Sequence, residues 1–418
     1  MFATELVTLV FAAALLGGLL LRLWLSSRQI RHVARNRDAV PADFATTITL
    51  AAHQKAADYT VAKMRFGIAD MAWSAALVLG WTLLGGLDAL NTTLRDGLGA
   101  GLLQQLALVA AFAMIGAVLD IPSSLYQNFV IEKRFGFSRM TPAQWLRDAL
   151  LSALVVSIIG LPLVAAMLWL MGAAGAGWWL YAWGLWVGFN LLLLIIYPGF
   201  IAPLFNKFEP LEDPALKERV LALMQRCGFS ANGLFVMDGS KRSAHSNAYF
   251  TGFGRAKRVV FYDTLLARLS PAEVDAVLAH ELGHFRHRHV LKRMVSLFLF
   301  SLGGFALLGW LSNQPAFYIG LGVQPQVGAP NDALALLLFL LVAPLFSLFT
   351  SPLFAGASRR HEFEADAFAM LQTDKGDLRS ALLKLYEDNA STLTPDPLFV
   401  SFYYSHPPAA QRLARMTA

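Results

Sequence analysis

The chain has 418 residues, of which 56% are hydrophobic and only 15% are charged, whereas soluble domains average about 25% charged residues. This composition, with a mean hydropathy of +0.51, excludes a disordered or fibrous protein and predicts a protein that crosses the membrane several times. The single cysteine, Cys227, excludes an intrachain disulfide. Membrane topology explains the net charge of +6, so we expect a lipid bilayer, and no nucleic acid, as a partner.

Seven apolar stretches are close to the length of about 20 residues that a helix needs to cross a bilayer. The first is interpreted as a retained helix, because no clear small-residue cleavage site of a signal peptide follows it. In chain order the predicted spans are 6–25, 71–90, 98–119, 149–171, 178–205, 294–311 and 333–354.

The basic residues between the spans predict the orientation of the protein, because short cytoplasmic loops collect Lys and Arg. Segments 26–67, 120–148, 206–293 and 355–418 hold 7, 4, 14 and 7 of them, whereas 91–97, 172–177 and 312–332 hold 1, 0 and 0. The N-terminus is therefore expected outside and the C-terminus in the cytosol. The predicted domains are 1–205 (spans one to five), 206–293 (cytosolic), 294–354 (spans six and seven) and 355–418 (cytosolic).

Segment 206–293 has the pattern of a small mixed unit. Leu234–Met237 and Arg258–Tyr262 are predicted strands, with a possible third strand at 247–253. A helix is predicted over 271–289, because Ser270 can cap it, Pro271 begins it and Glu273 completes a capping box.

This helix carries His280-Glu281-Leu282-Gly283-His284, an H-E-x-x-H motif. Two histidines four residues apart lie on one helix face and can bind one Zn²⁺, while the adjacent glutamate can act on a water molecule. About 0.005 chance occurrences are expected in a chain of this composition. The alternative is a polar helix end, since basic residues and further histidines continue up to the next span.

A catalytic zinc site needs a third protein ligand and an open position for water. The candidate ligand is Glu362, in SRRHEFEADAFA (358–369), with Asp366 one helical turn later as a carboxylate that can orient a ligating histidine. Glu364 points away from Glu362 by helical spacing. An ordinary solvated helix is the alternative for this pattern taken alone.

Several stretches together resemble the type I CAAX prenyl proteases, which are integral-membrane zinc metallopeptidases of the gluzincin kind. They occur in the expected order and are spread over most of the chain: FVIEKRFGFSRMTPAQWLRD (129–148), YPGFIAPLFNKFEPLED (197–213), KRSAHSNAYFTGFG (241–254), VLAHELGHFRHRH (277–289), SRRHEFEADAFA (358–369) and SHPPAAQRL (405–413).

The resemblance implies a mainly α, polytopic fold of seven transmembrane helices enclosing a chamber, with a small cytosolic α+β zincin-like unit. It implies one Zn²⁺ per chain and a peptide or protein substrate, which in this family can be C-terminally prenylated. It assigns no oligomeric state. By position it implies the following roles: His280, His284 and Glu362 as zinc ligands; Glu281 as general base; Asp366 and His406 as further catalytic residues; and Asn247, Ala248, Tyr249, His289 and Arg412 as substrate-binding residues.

Two departures from the family accompany the match. Glu364 stands where the eukaryotic members commonly have a neutral Gln, and the C-terminus lacks an endoplasmic-reticulum retrieval signal. The short loops and Ala/Leu-rich spans are typical of a bacterial member in the inner membrane. Because bacteria generally lack prenylated CAAX proteins, a quality-control protease of the same chemistry stays open as an alternative, and so does a metal-binding transporter or channel.

Overall fold

A computed structural model describes residues 2–229, 233–251 and 258–417. The strands are β1 (Phe208–Pro210), β2 (Leu234–Met237), β3 (Ala248–Thr251) and β4 (Arg258–Tyr262). The helices are α1 (Phe2–Arg35), α2 (Leu50–Trp81), α3 (Gly86–Leu98), α4 (Leu102–Tyr126), α5 (Glu132–Arg134), α6 (Pro142–Ala173), α7 (Trp178–Ile196), α8 (Ala202–Phe205), α9 (Pro214–Arg226), α10 (Asp263–Arg268), α11 (Pro271–Arg286), α12 (His289–Leu311), α13 (Pro315–Ile319), α14 (Asp332–Gln372), α15 (Lys375–Asp388), α16 (Pro397–Tyr403) and α17 (Ala409–Thr417).

The long apolar helices confirm a polytopic membrane fold. Within the described residues, six helical stretches are long and apolar enough to cross a bilayer, and they contain α1, α4, α6, α7, α12 and α14. The pair α2 and α3 adds a seventh span if it is taken as one, although it bends by 48°. The predicted span 71–90 crosses this bend, where Gly85 has a φ of 80°.

The spans bury few of their side chains within the protein. Between 6% and 33% of the most apolar window of each of the six helical stretches is buried. A bundle around a solid core would bury more, so this packing fits helices that face lipid on one side and enclose a chamber on the other.

A four-stranded sheet lies between the fifth predicted span and α11. Its order is β1-β2-β4-β3, with β2 and β4 parallel and the outer strands antiparallel to their neighbours. The predictions of β2 and β4 are confirmed at both ends. The possible strand at 247–253 is Ala248–Thr251 in the structure, and residues 252 and 253 lie outside the described residues. Strand β1 was not predicted, because three residues ending in Pro210 carry almost no period-two signal.

The helix predicted over 271–289 is two helices, so that prediction is wrong at its C-terminal end. Helix α11 ends at Arg286, and α12 begins at His289. Between them Arg288 adopts a left-handed conformation, with a φ of 55°. This turn breaks the hydrogen-bond ladder and directs the two helices differently.

The helix of the last predicted span continues well beyond its apolar stretch. Helix α14 continues from the apolar stretch 333–354 through the 358–369 motif to Gln372. Its second half packs against α11 and joins a core shared with the sheet, in which Phe261, Leu278, Leu282 and Ala369 are fully buried or nearly so. The sheet, α11 and the end of α14 thus form one packed unit.

Candidate metal centre

Helix α11 presents two histidines on one face. The helix begins with a complete capping box, in which the Ser270 side chain accepts from the Glu273 backbone N–H and the Glu273 carboxylate accepts from the Ser270 N–H. Leu278 and Leu282, each two positions before one of these histidines, fill the core. His280 and His284, one turn apart, therefore point the same way, and their Nε2 atoms lie 3.3 Å apart.

Helix α14 brings a carboxylate to these two imidazoles. Glu362 Oε2 lies 3.4 Å from His280 Nε2, and Glu362 Oε1 lies 3.4 Å from His284 Nε2. The two helices approach closely because α11 has Gly283 at the contact, where an added Cβ would lie 2.9 Å from the Cα of Ala365. Glu362 thus forms one cluster with two histidines that lie 78 and 82 positions before it in the sequence.

The geometry of this cluster fits a metal ion. Ligands of a tetrahedral zinc with bonds of about 2.0–2.1 Å are about 3.3–3.4 Å apart, and these side chains have that spacing. In addition, Glu362 Oε2 is buried and makes no hydrogen bond within the described part of the chain. Burying a carboxylate oxygen without a hydrogen-bond partner costs free energy unless a cation is its partner.

Asp366 and Arg412 support the first histidine from behind. His280 Nδ1 lies 2.9 Å from Asp366 Oδ1, and Arg412 Nε donates to Asp366 Oδ2 over 2.8 Å. Arg412 and Asp366 are 8% and 3% exposed. A neutral His280 with Nε2 free for a metal has its proton on Nδ1, so this carboxylate selects the metal-binding tautomer.

The electrostatics of the site favour a positive charge between the imidazoles. Burial alone would lower the pKa of His280, but the hydrogen bond with Asp366 and the nearby carboxylate of Glu362 outweigh it and raise that pKa to about 9. Burial and the positive charge on His280 lower the pKa of His284 to about 3. The carboxylates therefore stabilise one positive charge here, which a metal ion can supply as well as a proton can.

A cavity of about 600 Å³ opens in front of the cluster. Glu281 follows His280 on α11 and lines this cavity, and burial raises the pKa of its carboxyl. His406, between α16 and α17, is 64% exposed at the side chain, with its Nε2 atom 3.5 Å from Glu362 Oε1. Asn247 and Ala248, at the start of β3, line the same cavity.

Two of the residues expected to bind substrate lie elsewhere. The side chain of Tyr249 lines a separate small cavity, with Phe235 and Arg258 among its neighbours, rather than the one before the metal cluster. His289 is completely buried and contacts Nδ1 of His284 instead of lining this cavity. Arg412 lines the cavity but is held by Asp366.

Asn389 is a residue that the sequence analysis missed. Its Oδ1 atom accepts from the Ser246 backbone N–H over 3.1 Å and lies 3.1 Å from His245 Nδ1. It thereby fixes the chain just before β3 and lines the cavity itself. A lone asparagine near the end of α15 carries no sequence signal for this contact, since its partners are more than 140 positions away.

Family models match nearly the whole chain. Residues 29–207 match the model described as "CAAX prenyl protease N-terminal, five membrane helices", and residues 210–418 match the model described as "Peptidase family M48". These two matches divide the chain at β1, the first strand of the sheet.

Curated relatives and a solved structure are similar over most of their length. The chain is 38% identical to CAAX prenyl protease 1 homolog of Arabidopsis thaliana, over 75% of this chain and 73% of that protein. It is 35% identical to CAAX prenyl protease 1 of Saccharomyces cerevisiae, over 75% and 72%. A crystal structure of S. mikatae Ste24p is similar with a TM-score of 0.90 and 30% identity, over 98% of both chains.

Proposed function

Because this chain belongs to peptidase family M48 and carries the N-terminal domain of the CAAX prenyl proteases, we propose that it hydrolyses peptide bonds with a zinc ion held by His280, His284 and Glu362. The protein is an integral-membrane metalloprotease of the CAAX prenyl protease type. The observation that carries the zinc assignment is the cluster of two imidazoles and one buried carboxylate, with donor atoms at tetrahedral spacing.

The chemistry divides between the ion and the residues around it. Zinc bound in this cluster would polarise a peptide carbonyl and lower the pKa of water towards about 7. Glu281 acts as the general base: its carboxylate takes the proton from the attacking water and then delivers it to the leaving amine nitrogen. Its position beside His280 at the cavity wall supports this role.

The surrounding residues orient the groups that react. Asp366, held by Arg412, accepts the Nδ1 proton of His280 and keeps Nε2 directed at the ion. His406 donates a hydrogen bond from Nε2 towards the substrate carbonyl oxygen, a role supported by its exposure in the cavity 3.5 Å from Glu362. Loss of this donor should lower turnover more than zinc content.

The substrate binds as an added strand. Strand β3 is an outer strand of the sheet, and its first residue, Ala248, lines the cavity together with Asn247 before it. An extended peptide can therefore pair with its free edge and lie across Glu281. Such pairing recognises the backbone, so selectivity for side chains should be low, and replacing single backbone amides of a peptide by N-methyl groups should reduce cleavage.

Two substitutions test the assignment of zinc ligands and base. Glu281→Gln should abolish peptide cleavage and leave one zinc bound, whereas Glu362→Ala should lower zinc content measured by elemental analysis. Glu218→Ala, at an exposed position of α9, is the matched control for both. Wild-type turnover in Glu281→Gln would contradict the assignment of Glu281 as general base. An unchanged zinc content in Glu362→Ala would contradict the assignment of Glu362 as a zinc ligand.

For the substrate class we propose peptides and proteins, including those with a C-terminal prenylated cysteine motif where the host makes them, as the names of the relatives suggest. A single digestion of matched prenylated and non-prenylated peptides, with chelator and zinc-restored controls, tests this. Equal cleavage of both peptides would favour the quality-control protease, and activity that is insensitive to the chelator would reject the metalloprotease.

The membrane placement is a further part of the proposal. The distribution of basic residues supports an N-terminus outside and a metal centre and C-terminus in the cytosol. The short loops and Ala/Leu-rich spans support a bacterial inner membrane as the location. On this basis 206–293 and 355–418 form the soluble parts of the enzyme. Single cysteines placed in 312–332 and in 375–388 test this orientation when a labelling reagent is added outside intact cells. Only the cysteine in 312–332 should react.

A further inference from the structure

A second group of titratable residues lies directly behind the metal centre. We call it the outer histidine cluster and define it as His287, His289, His361 and Glu364. The ring of His289 is fully buried. It stacks on the His361 ring at 4.0 Å between centroids and on the His287 ring at 5.5 Å. The cluster holds one imidazole in a fixed orientation against the back of His284.

Two short contacts connect this cluster to the metal centre. His284 Nδ1 lies 3.0 Å from His289 Nδ1, and His289 Nε2 lies 2.8 Å from Glu364 Oε2. Both distances are those of hydrogen bonds. The left-handed turn at Arg288 makes the first contact possible, because it returns the chain onto α11 immediately after the motif.

The positions of the protons along this row of hydrogen bonds follow from the proposed function. If His284 gives the lone pair of Nε2 to zinc, its single proton is on Nδ1. That proton can be shared only if Nδ1 of His289 is an acceptor, so His289 carries its own proton on Nε2. The Nε2–H group then donates to Glu364. We propose that His289 and Glu364 are positioning residues, which fix the tautomer and orientation of the ligand His284 and thereby strengthen metal binding.

The hydrogen bonds that start at each ligating histidine thus lead to a carboxylate. His280 donates to Asp366 directly, whereas His284 reaches Glu364 through one intervening imidazole. Each arrangement makes the ligating nitrogen more basic and restricts rotation of the ring. Glu364 is 44% exposed, so solvent weakens its charge compared with that of the buried Asp366.

The same geometry argues against a second metal ion in the outer cluster. His287, His289 and Glu364 offer donor atoms within 4.8 Å of one another, but a metal on His289 Nε2 would move the proton of that ring to Nδ1. Two N–H groups would then face each other over 3.0 Å, unless a proton were lost. We therefore expect one zinc per chain.

The experiment measures zinc affinity without substrate. Metal-free protein is titrated with zinc against a competing chelator of known affinity, for wild type, Glu364→Leu, Glu364→Gln, His289→Phe and the surface control Glu218→Leu. Loss of an outer hydrogen-bond partner typically costs about 10–100-fold in metal affinity. We expect that loss in Glu364→Leu and His289→Phe. A much smaller change is expected in Glu364→Gln, because the amide oxygen still accepts from His289, and none in the control.

Three results would overturn the proposal. The first is wild-type zinc affinity in Glu364→Leu. The second is binding of two zinc ions by wild type and of one by Glu364→Leu, with the tighter site unchanged. The third is a fall in the unfolding temperature of metal-free Glu364→Leu large enough to explain its weaker binding, which would make the role structural. Glu364 is partly exposed, so this variant should fold even if His289→Phe does not. Since no cleavage is measured, failure here is separate from failure of the proposed peptidase activity.

Discussion

The contact between α11 and α14 at Gly283 offers a sharp test of how the metal centre is built. A Cβ at position 283 would lie 2.9 Å from the Cα of Ala365, 3.0 Å from its carbonyl oxygen and 3.2 Å from the Cβ of Phe368. Two of these atoms are backbone of a rigid helix and cannot rotate away. Gly283→Ala must therefore move the helices apart.

The size of the displacement follows from ordinary contact distances. A Cβ in van der Waals contact is at least 3.4 Å from its neighbour, so the helices must separate by about 0.5 Å at this point. Such overpacking costs about 1–3 kcal/mol, and replacing a helical glycine by alanine returns about 1 kcal/mol. The free energy of unfolding should fall by only about 0–2 kcal/mol.

The effect on the site should be larger than the effect on stability. Glu362 is on α14 and both histidines are on α11, so the separation changes the spacing of the donor atoms directly. Misplacement by about 1 Å can cost about 10²-fold in rate. We therefore expect weaker zinc binding and a turnover about 10–100-fold below that of wild type, in a protein that remains folded.

The assay compares Gly283→Ala with Gly67→Ala, since a Cβ at Gly67 in helix α2 would have nothing within 4 Å. Zinc affinity, peptide turnover at saturating zinc and thermal unfolding are measured for both variants. Wild-type zinc affinity and turnover in Gly283→Ala would refute the reasoning. A loss of turnover that matches the loss of folded protein would refute it as well.

Three further predictions concern the same unit. Arg412→Leu leaves Asp366 buried without its ion-pair partner and should lower the free energy of unfolding by about 3–5 kcal/mol, measured by denaturant titration. Burial alone would raise the pKa of Glu273, but hydrogen bonds from Lys384 and Ser380 outweigh it and lower that pKa from 4.5 to about 2. The contribution of the Glu273 carboxylate to folding stability is thus complete above pH 4.5 and is lost as the pH falls towards 2. Glu273→Gln should therefore flatten the pH dependence of the unfolding free energy in that window. Arg288→Gly should raise the unfolding free energy by about 1 kcal/mol, because glycine tolerates the left-handed φ of 55°, and should leave zinc content unchanged in a metal assay.

The sequence predicted the membrane helices well where one apolar run equals one helix. It did not predict the 48° bend between α2 and α3, because the run 71–90 stays apolar through the bend and only Gly85 and Gly86 mark it. It also missed β1, which is too short to show a period. Hydropathy measures how a segment partitions into the bilayer, and it carries little information on where the helix bends within it.

At the metal centre, what could be predicted depended on sequence separation. His280 and His284 share a face by helical geometry alone. Glu362 was a candidate because a catalytic zinc needs a third ligand and Asp366 follows Glu362 by one helical turn, and the resemblance to a family supported that choice. The contact of His289 with His284 could not be read from the chain, because an arginine at position 288 gives no signal for a left-handed turn. A glycine there would have indicated one.

The continuity of α14 connects the candidate metal centre to the last apolar stretch through one unbroken helix. The helix has 41 residues, so it is about 60 Å long, twice the thickness of the hydrocarbon core. Glu362 follows the end of the apolar stretch by eight residues, or about 12 Å along the axis. The histidine pair lies close to another apolar helix, since α12 begins five residues after His284, but the left-handed turn at Arg288 separates α11 from α12. Both halves of the candidate centre therefore adjoin helices that are long and apolar enough to cross a bilayer, and helix length sets the distance of Glu362 from the apolar stretch.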